Sequence, residues 1–257
     1  MALPELLLPL AADPGRSALF LDFDGTLSAI VDDPVAARPL PGVPDLLARL
    51  AARFGLVAVV SGRPTAFLAE VLSSPPGVVL VGLYGLELAL GGPDGGGDAG
   101  PWAAMVDEVV AEAVTAAPDG VYVEPKGLTV TLHWRHAPAA RPWVVSFAER
   151  QRAVRGLHVH PGRMELELRP PLDVDKGTVV RTLARDHRAP LGAVAVFGDD
   201  IGDLPAFAAV GELAPIALRV AVVDGESPPE VADRADLTVA GAAGAVALLE
   251  MLTQAGV

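Results

Sequence analysis

The chain has 257 residues, is 51% apolar and 20% charged, and carries a formal net charge of −13. Such a composition describes a folded protein of one large domain, or a core plus a smaller domain, and argues against disorder. The acidic balance argues against nucleic acid or an anionic membrane as partner, because phosphate backbones call for a basic footprint, and an anionic small molecule would need locally concentrated positive charge. Cysteine is absent, so disulfides and thiol nucleophiles are excluded and a reducing, cytoplasmic setting is the expectation. The apolar opening at residues 1–10 lacks a basic n-region and contains Glu5 and two prolines, which reads as a loosely docked segment rather than a secretory signal. No apolar run is long enough to span a bilayer.

In chain order, residues 18–23 form a short apolar run ending in acidic residues and Gly25, as a buried parallel strand would. Residues 43–54 have helical spacing, with Leu46, Leu47, Leu50 and Phe54 on one side. Residues 56–60 are a second buried strand, closed by Ser61-Gly62-Arg63-Pro64; a helix follows, then a strand at 78–83. This βαβαβ order implies a doubly wound parallel sheet. The pattern then changes. Residues 91–100 hold six glycines, a proline and two aspartates, the composition of a flexible loop. Beyond it come a helix (102–116), a hairpin (121–124 and 128–135), a helix (139–154) and a strand pair (157–160 and 164–169). From Asp175 the first pattern resumes: a helix to His187, a strand at 193–197, a helix after Asp203, strands at 216–223 and 237–239, and a helix at 242–252. The expectation is a Rossmann-like α/β core, residues 1–87 and 172–257, with an α+β module inserted at 88–171.

Four segments carry chemistry. Asp22-Phe23-Asp24-Gly25-Thr26 closes the first strand, where ligands of open α/β sheets bind. Side chains two apart on an extended backbone point the same way, so Asp22 and Asp24 face one site while Phe23 enters the core. Paired carboxylates can divide labour, one as nucleophile or metal ligand, the other as general acid and base. Gly198-Asp199-Asp200-Ile201-Gly202-Asp203 follows a second strand. Asp199 and Asp200 can share a site with Asp22 and Asp24 only around a cation, and hard carboxylate oxygens favour Mg²⁺ over Zn²⁺. Asp203 also suits a helix N-cap ahead of Leu204-Pro205. Ser61-Gly62-Arg63 offers a hydroxyl and backbone N–H groups as an oxyanion cradle. Lys176 opens the helix that re-enters the core. Of 19 cationic side chains 17 are arginine, and the two lysines are Lys126 and Lys176. A lysine kept against that bias marks a place suited to a compact ammonium, as beside a phosphoryl group and an ionised aspartate.

Taken in this order, Asp22-x-Asp24-Gly-Thr, Ser61, Lys176 and Gly-Asp199-Asp200-x-x-Asp203 resemble the four motifs of the haloacid dehalogenase superfamily phosphatases, with the insert where that superfamily places its C2-type cap. A narrower set resembles the trehalose-6-phosphate phosphatases: Leu21 to Ser28 with Pro34, Val60-Ser61-Gly62-Arg63, Gly82 to Glu87, Glu124-Pro125-Lys126-Gly127-Leu128, and Glu167-Leu168-Arg169-Pro170 before Asp175-Lys176-Gly177. The resemblance implies hydrolysis of trehalose 6-phosphate through a phosphorylated Asp22, with Asp24 as acid and base, and Ser61 and Lys176 on the phosphoryl group. It implies Mg²⁺ on Asp22, the Asp24 carbonyl and Asp199, with Asp200 and Asp203 behind, and Arg63, Glu124, Lys126 and Glu167 on the sugar phosphate. It also implies a metabolic link to a trehalose-6-phosphate synthase. The sequence departs from that pattern at Gly202, Leu204 and Pro205, and Tyr84 stands where many relatives have histidine. The alternatives are a phosphatase of another sugar phosphate, of the sucrose phosphate or glycosylglycerate type, and an inactive sugar-phosphate-binding paralogue. As bare patterns, Glu124-Pro125-Lys126-Gly127 is also a polar hairpin turn, and Glu167 can face solvent.

Overall fold

The structure is a computed structural model that describes residues 3–31, 33–90, 100–162, 164–225 and 227–255. The chain divides into two compact units, Met1–Gly85 with Val174–Val257, and Leu86–Asp173. The first unit begins with α1 (Leu8–Ala12), β1 (Ser17–Leu21), α2 (Val43–Arg53), β2 (Leu56–Val60), α3 (Thr65–Leu72) and β3 (Val78–Val81). The second holds α4 (Leu86–Ala89), α5 (Gly100–Ala116), β4 (Tyr122–Pro125), β5 (Val130–His133), α6 (Arg141–Arg155), β6 (His158–Gly162) and β7 (Glu165–Arg169). The chain then completes the first unit with α7 (Lys176–Asp186), β8 (Ala193–Gly198), α8 (Leu204–Val210), β9 (Ile216–Val223), α9 (Pro229–Asp233), β10 (Leu237–Ala240) and α10 (Gly241–Gln254). The glycine-rich stretch expected as a loop lies, except for Gly100, outside the described residues.

The first unit is built on a six-stranded parallel sheet in the order β10-β9-β8-β1-β2-β3. Its central strands are apolar throughout because both faces are covered. Leu19 and Leu21 of β1 join the core layer with Leu46, Leu50, Leu68 and Leu249, while Ala18 and Phe20 join the opposite layer with Val179, Phe207 and Val231. The chain moves from β1 to β2 and β3 on one side and returns to β8 on the other, so strand order reverses between β1 and β8. Crevices at the carboxyl ends of strands open at such a reversal.

The opening segment is not loosely docked. Leu7 and Leu10 are fully buried and belong to the same core layer as Leu19 and Leu249. Proline at the second position of α1 fits the first helical turn, and burial of two leucines, worth about 3–6 kcal/mol together, offsets much of the cost of ordering a short helix.

The second unit is a four-stranded antiparallel sheet, β4-β5-β7-β6, packed on α5 and α6. Alternation along β5 and β7 separates its faces. Val130, Leu132 and Leu168 pack with Val106, Val109, Val144 and Phe147, while Thr131, His133, Glu165, Glu167 and Arg169 take the alternate positions. Threonines, acids and cations thus collect on the face opposite the helices.

Leu10→Ala should destabilise the protein by about 2–5 kcal/mol, the usual range for a buried leucine. Equilibrium denaturant unfolding checks this, and a loss under ~0.5 kcal/mol would restore the loosely docked reading.

Candidate active site

Asp22 follows the last residue of β1, and its N–H donates to the Phe197 carbonyl of β8 at 3.0 Å. Asp199 follows the last residue of β8. The two aspartates therefore flank the reversal point on adjacent strands. Gly25 makes their approach possible: it has φ +74°, and a Cβ there would sit 2.1 Å from Asp199 Oδ2. The turn after Asp24 thus needs glycine both for its backbone and for the space beside Asp199.

Lys176 is the first residue of α7, whose N-cap Asp175 accepts from the Thr178 N–H at 2.7 Å. That cap fixes the start of the helix, and with it the ammonium. Lys176 Nζ lies 2.6 Å from Asp22 Oδ1 and 2.6 Å from Asp203 Oδ1, with Lys176 4% exposed. Asp203 Oδ2 accepts from the N–H groups of Asp199 at 3.0 Å and Asp200 at 3.2 Å. Asp203 and Asp200 form a reciprocal capping box. Asp203 stands before α8, but its side chain does not cap that helix as its sequence position suggested; it closes the turn before it and ties Lys176 to the loop that carries Asp199. Asp200 is exposed.

One carboxylate oxygen each of Asp22, Asp199 and Asp203 lies within 4.8 Å of the other two. Burial is the largest influence on Asp22 and pushes it up to about 7, with the Lys176 charge opposing and Asp203 and Asp24 adding repulsion. Burial, with Asp22 and Asp203 as like-charged neighbours, pushes Asp199 up to about 10. Burial would pull the Lys176 ammonium down, but Asp203 and Asp22 outweigh it and its pKa rises. Fully ionised, three carboxylates beside one ammonium would carry an excess of two negative charges. A divalent cation would cancel that excess, and an all-oxygen donor set suits Mg²⁺. The residues present thus fit the cation that the sequence implied.

Asp24 lies just beyond the end of β1 at Leu21, close enough for its charge to act on Asp22. Its carboxylate accepts from Arg63 Nε and a terminal nitrogen of the same guanidinium, both at 2.8 Å. Arg63 also donates to the Pro34 carbonyl at 2.8 Å and stands 5.0 Å over the Phe67 ring. Ser61, 1% exposed, accepts from the Arg63 N–H at 3.1 Å. Ser61 and Arg63 thus share one loop, at the carboxyl end of the strand beside β1. The fully buried Thr26 hydroxyl has no hydrogen-bond partner among the described residues.

In the second unit the three residues singled out from sequence cluster together. Lys126 Nζ lies 3.5 Å from Glu124 Oε2 and 3.7 Å from Glu167 Oε1. Glu167 accepts from the Thr129 hydroxyl at 2.8 Å. His133 touches Glu124 Oε2 and Glu165 Oε2, each at 2.9 Å. The Thr131 hydroxyl, buried in the row between Glu124 and Glu167, has no hydrogen-bond partner among the described residues. Sequence reasoning did not select Thr129, Thr131, His133 or Glu165, although their alternation with Val130, Leu132 and Leu166 was the signal that puts them on one face.

The sequence model of the trehalose-phosphatase family matches residues 20–240. The chain belongs to that family. It is 39% identical over 223 residues to a trehalose-phosphate phosphatase of Mycobacterium marinum, covering 81% of this chain and 56% of that one. It is 43% identical over 204 residues to one of Mycobacterium avium, covering 75% and 51%. The chain thus spans about half the length of these family relatives. Among solved structures, the C-terminal domain of a Candida albicans trehalose-6-phosphate phosphatase superposes with a TM-score of 0.76 at 21% identity, covering 98% of both chains. A trehalose-6-phosphate phosphatase related protein gives 0.76 at 23% identity, over 93% of this chain and 98% of that one. These structural likenesses establish the shared fold. Among the described residues no helix is long and apolar enough to cross a membrane.

Because Asp199 and part of Asp22 are protonated at pH 7 without a cation, Mg²⁺ binding at that pH should release protons. Its affinity should fall as pH is lowered, by up to about tenfold per pH unit for each proton displaced. Titration calorimetry in buffers of different ionisation enthalpy measures the release. Binding with no proton release, or equal binding by Asp199→Asn, would contradict this site.

Proposed function

We propose that the protein is a Mg²⁺-dependent phosphatase that hydrolyses trehalose 6-phosphate to trehalose and inorganic phosphate through a phosphorylated Asp22. The observation that carries this reading is the buried Lys176 ammonium 2.6 Å from Asp22 Oδ1, at the strand-order reversal and beside Asp199. A lone buried aspartate would hold its proton. One paired with an ammonium can stay ionised and act as a nucleophile.

Asp22 attacks phosphorus in line, and the bond to the sugar oxygen breaks as the bond to the Asp22 oxygen forms. Once released from Arg63, Asp24 takes up a proton from solvent and gives it to the leaving sugar oxygen, then takes one from the water that hydrolyses the acyl phosphate. For this its carboxylate has to exchange the Arg63 guanidinium for the substrate oxygen, and Arg63, freed from Asp24, can meet the phosphoryl group. Lys176 stays as a fixed positive charge on the phosphoryl oxygens, and the Ser61 loop supplies hydrogen-bond donors. Bound Mg²⁺, held by Asp22, Asp199 and the Asp24 carbonyl, supplies charge neutralisation on the transferring group. Asp203 keeps Lys176 and the Asp199 loop in register.

The second unit, residues 88–171 in the sequence reading, supplies sugar specificity. Glu124, Lys126 and Glu167 form a compact set of acceptors and donors suited to vicinal hydroxyls, and the unpartnered Thr131 hydroxyl adds another group. The setting is cytoplasmic, and the substrate comes from a glycosyl-transfer step of the trehalose-6-phosphate synthase type.

Asp22→Asn should lower turnover at least ~10³-fold, as expected when a nucleophile is lost. Phosphate release from trehalose 6-phosphate measures it, beside a panel of sugar phosphates. Turnover retained by Asp22→Asn would remove the covalent route, and preference for another sugar phosphate would remove the assignment to trehalose 6-phosphate. Lys126→Met and Glu167→Gln should each raise KM ~10- to 100-fold, the worth of a hydrogen bond to a charged group. Unaltered KM in both would take the sugar away from this face.

A further inference from the structure

The polar face of the four-stranded sheet holds an arrangement that the sugar contacts alone do not require. Tyr122, His133, Glu165 and Gly162 are opposite one another across the strands, and Glu124, Thr131, Glu167 and His160 form the neighbouring row. His133 sits where the rows meet. Its Nε2 is 2.9 Å from Glu124 Oε2 on β4, and its Nδ1 is 2.9 Å from Glu165 Oε2 on β7.

A neutral imidazole has one N–H and one lone pair. If neutral, His133 would bond one carboxylate and turn its lone pair on an oxygen of the other. Both contacts are attractive only when both ring nitrogens carry protons. The groups facing the ring agree with a cation there. Glu124 and Tyr122 approach from β4, and Glu165 with its neighbour Glu167 lies on β7. The Tyr122 ring is 5.5 Å from the imidazole at an interplanar angle of 30°, a π-face contact that favours positive charge. The cations of this face among the described residues include Lys126, 3.5 Å from Glu124, and Arg169 at the far end of β7.

From this geometry we propose that His133 is a positioning residue of the sugar-binding face, an imidazolium clamp that holds Glu124 against Glu165 so that Glu124 meets the substrate hydroxyls in a fixed orientation. This rests on the reading of that face as the sugar site. The two glutamates that flank Lys126 are thus held by different means, Glu167 by the neutral Thr129 hydroxyl at 2.8 Å, and Glu124 by a group whose grip depends on a proton. Burial alone would pull the His133 imidazole down, but the hydrogen bonds and charges of Glu124 and Glu165 outweigh it and raise it above the ordinary histidine value. The clamp is therefore fully present below the ordinary histidine value and is lost as pH rises through the raised one. His160 on the same face is the internal contrast: burial, then the charges of Arg169 and His158, push it down to about 4. Its Nδ1 faces the Arg169 guanidinium at 2.6 Å, which a protonated nitrogen could not accept.

The test uses the full chain with ¹⁵N-labelled histidine rings. At pH 6, two-bond ¹H–¹⁵N spectra, assigned with His133→Asn, should show both His133 nitrogens protonated and His160 singly protonated, and Glu165→Gln should lower the His133 midpoint. A singly protonated His133 at pH 6, or a midpoint at or below ~6.5, overturns the clamp. In steady-state assays, His133→Asn should lower kcat/KM for trehalose 6-phosphate at least ~10-fold relative to kcat/KM for p-nitrophenyl phosphate, which has no sugar to place. The loss should fall on KM, and the alkaline rise of wild-type KM should disappear. An equal loss on both substrates, or an unchanged ratio, overturns the positioning role. If the wild-type protein hydrolyses p-nitrophenyl phosphate but not trehalose 6-phosphate, it is the proposed substrate that fails, and the ring spectra still decide the charge of His133.

Discussion

The Lys176 ammonium, buried between Asp22 and Asp203, is the interaction on which the site is built. Three chain segments far apart in sequence meet there: the end of β1, the start of α7 and the loop after β8. A buried cation with two acidic partners is self-consistent only if each charge is satisfied, since a single uncompensated member would cost several kcal/mol. Asp203 achieves this by using one carboxylate oxygen for Lys176 and the other for the backbone N–H groups of Asp199 and Asp200. Lys176 offsets one negative charge, and a divalent cation would offset the excess that the ionised cluster would carry.

The rest of the fold serves that meeting point. The all-parallel sheet puts every strand's carboxyl end on one edge, and reversal of strand order between β1 and β8 opens space between the two that end in aspartates. Apolar layers on both faces keep those strands rigid. The second unit separates labour in the same way: one face of its sheet packs on two helices, and the other collects acids, a lysine, histidines and threonines.

Much of this was legible in the chain itself. The strands at Leu56–Val60 and Ile216–Val223 fall where sequence reading put them, because each is an apolar run bounded by residues that break it. The parallel architecture followed from the alternation of strands and helices, and the shared location of Asp22 and Asp199 from their common position after buried strands. What was not legible depends on distant partners. The docking of Leu7 and Leu10 is set by a core that a ten-residue segment does not reveal. The pairing of Asp24 with Arg63 joins positions 39 apart in sequence, which local spacing does not reveal. Thr129, His133 and Glu165 had the right spacing, but spacing alone does not say which face of a strand the helices cover.

The central claim is that Asp22, whose ionised form Lys176 favours, is the residue that accepts the phosphoryl group. Rapid quenching during turnover of ³²P-labelled trehalose 6-phosphate, followed by peptide mapping, tests it most directly. The account predicts transient, hydroxylamine-labile label on the peptide that contains Asp22. Label elsewhere in the chain, or none in a protein that is turning over, would contradict it.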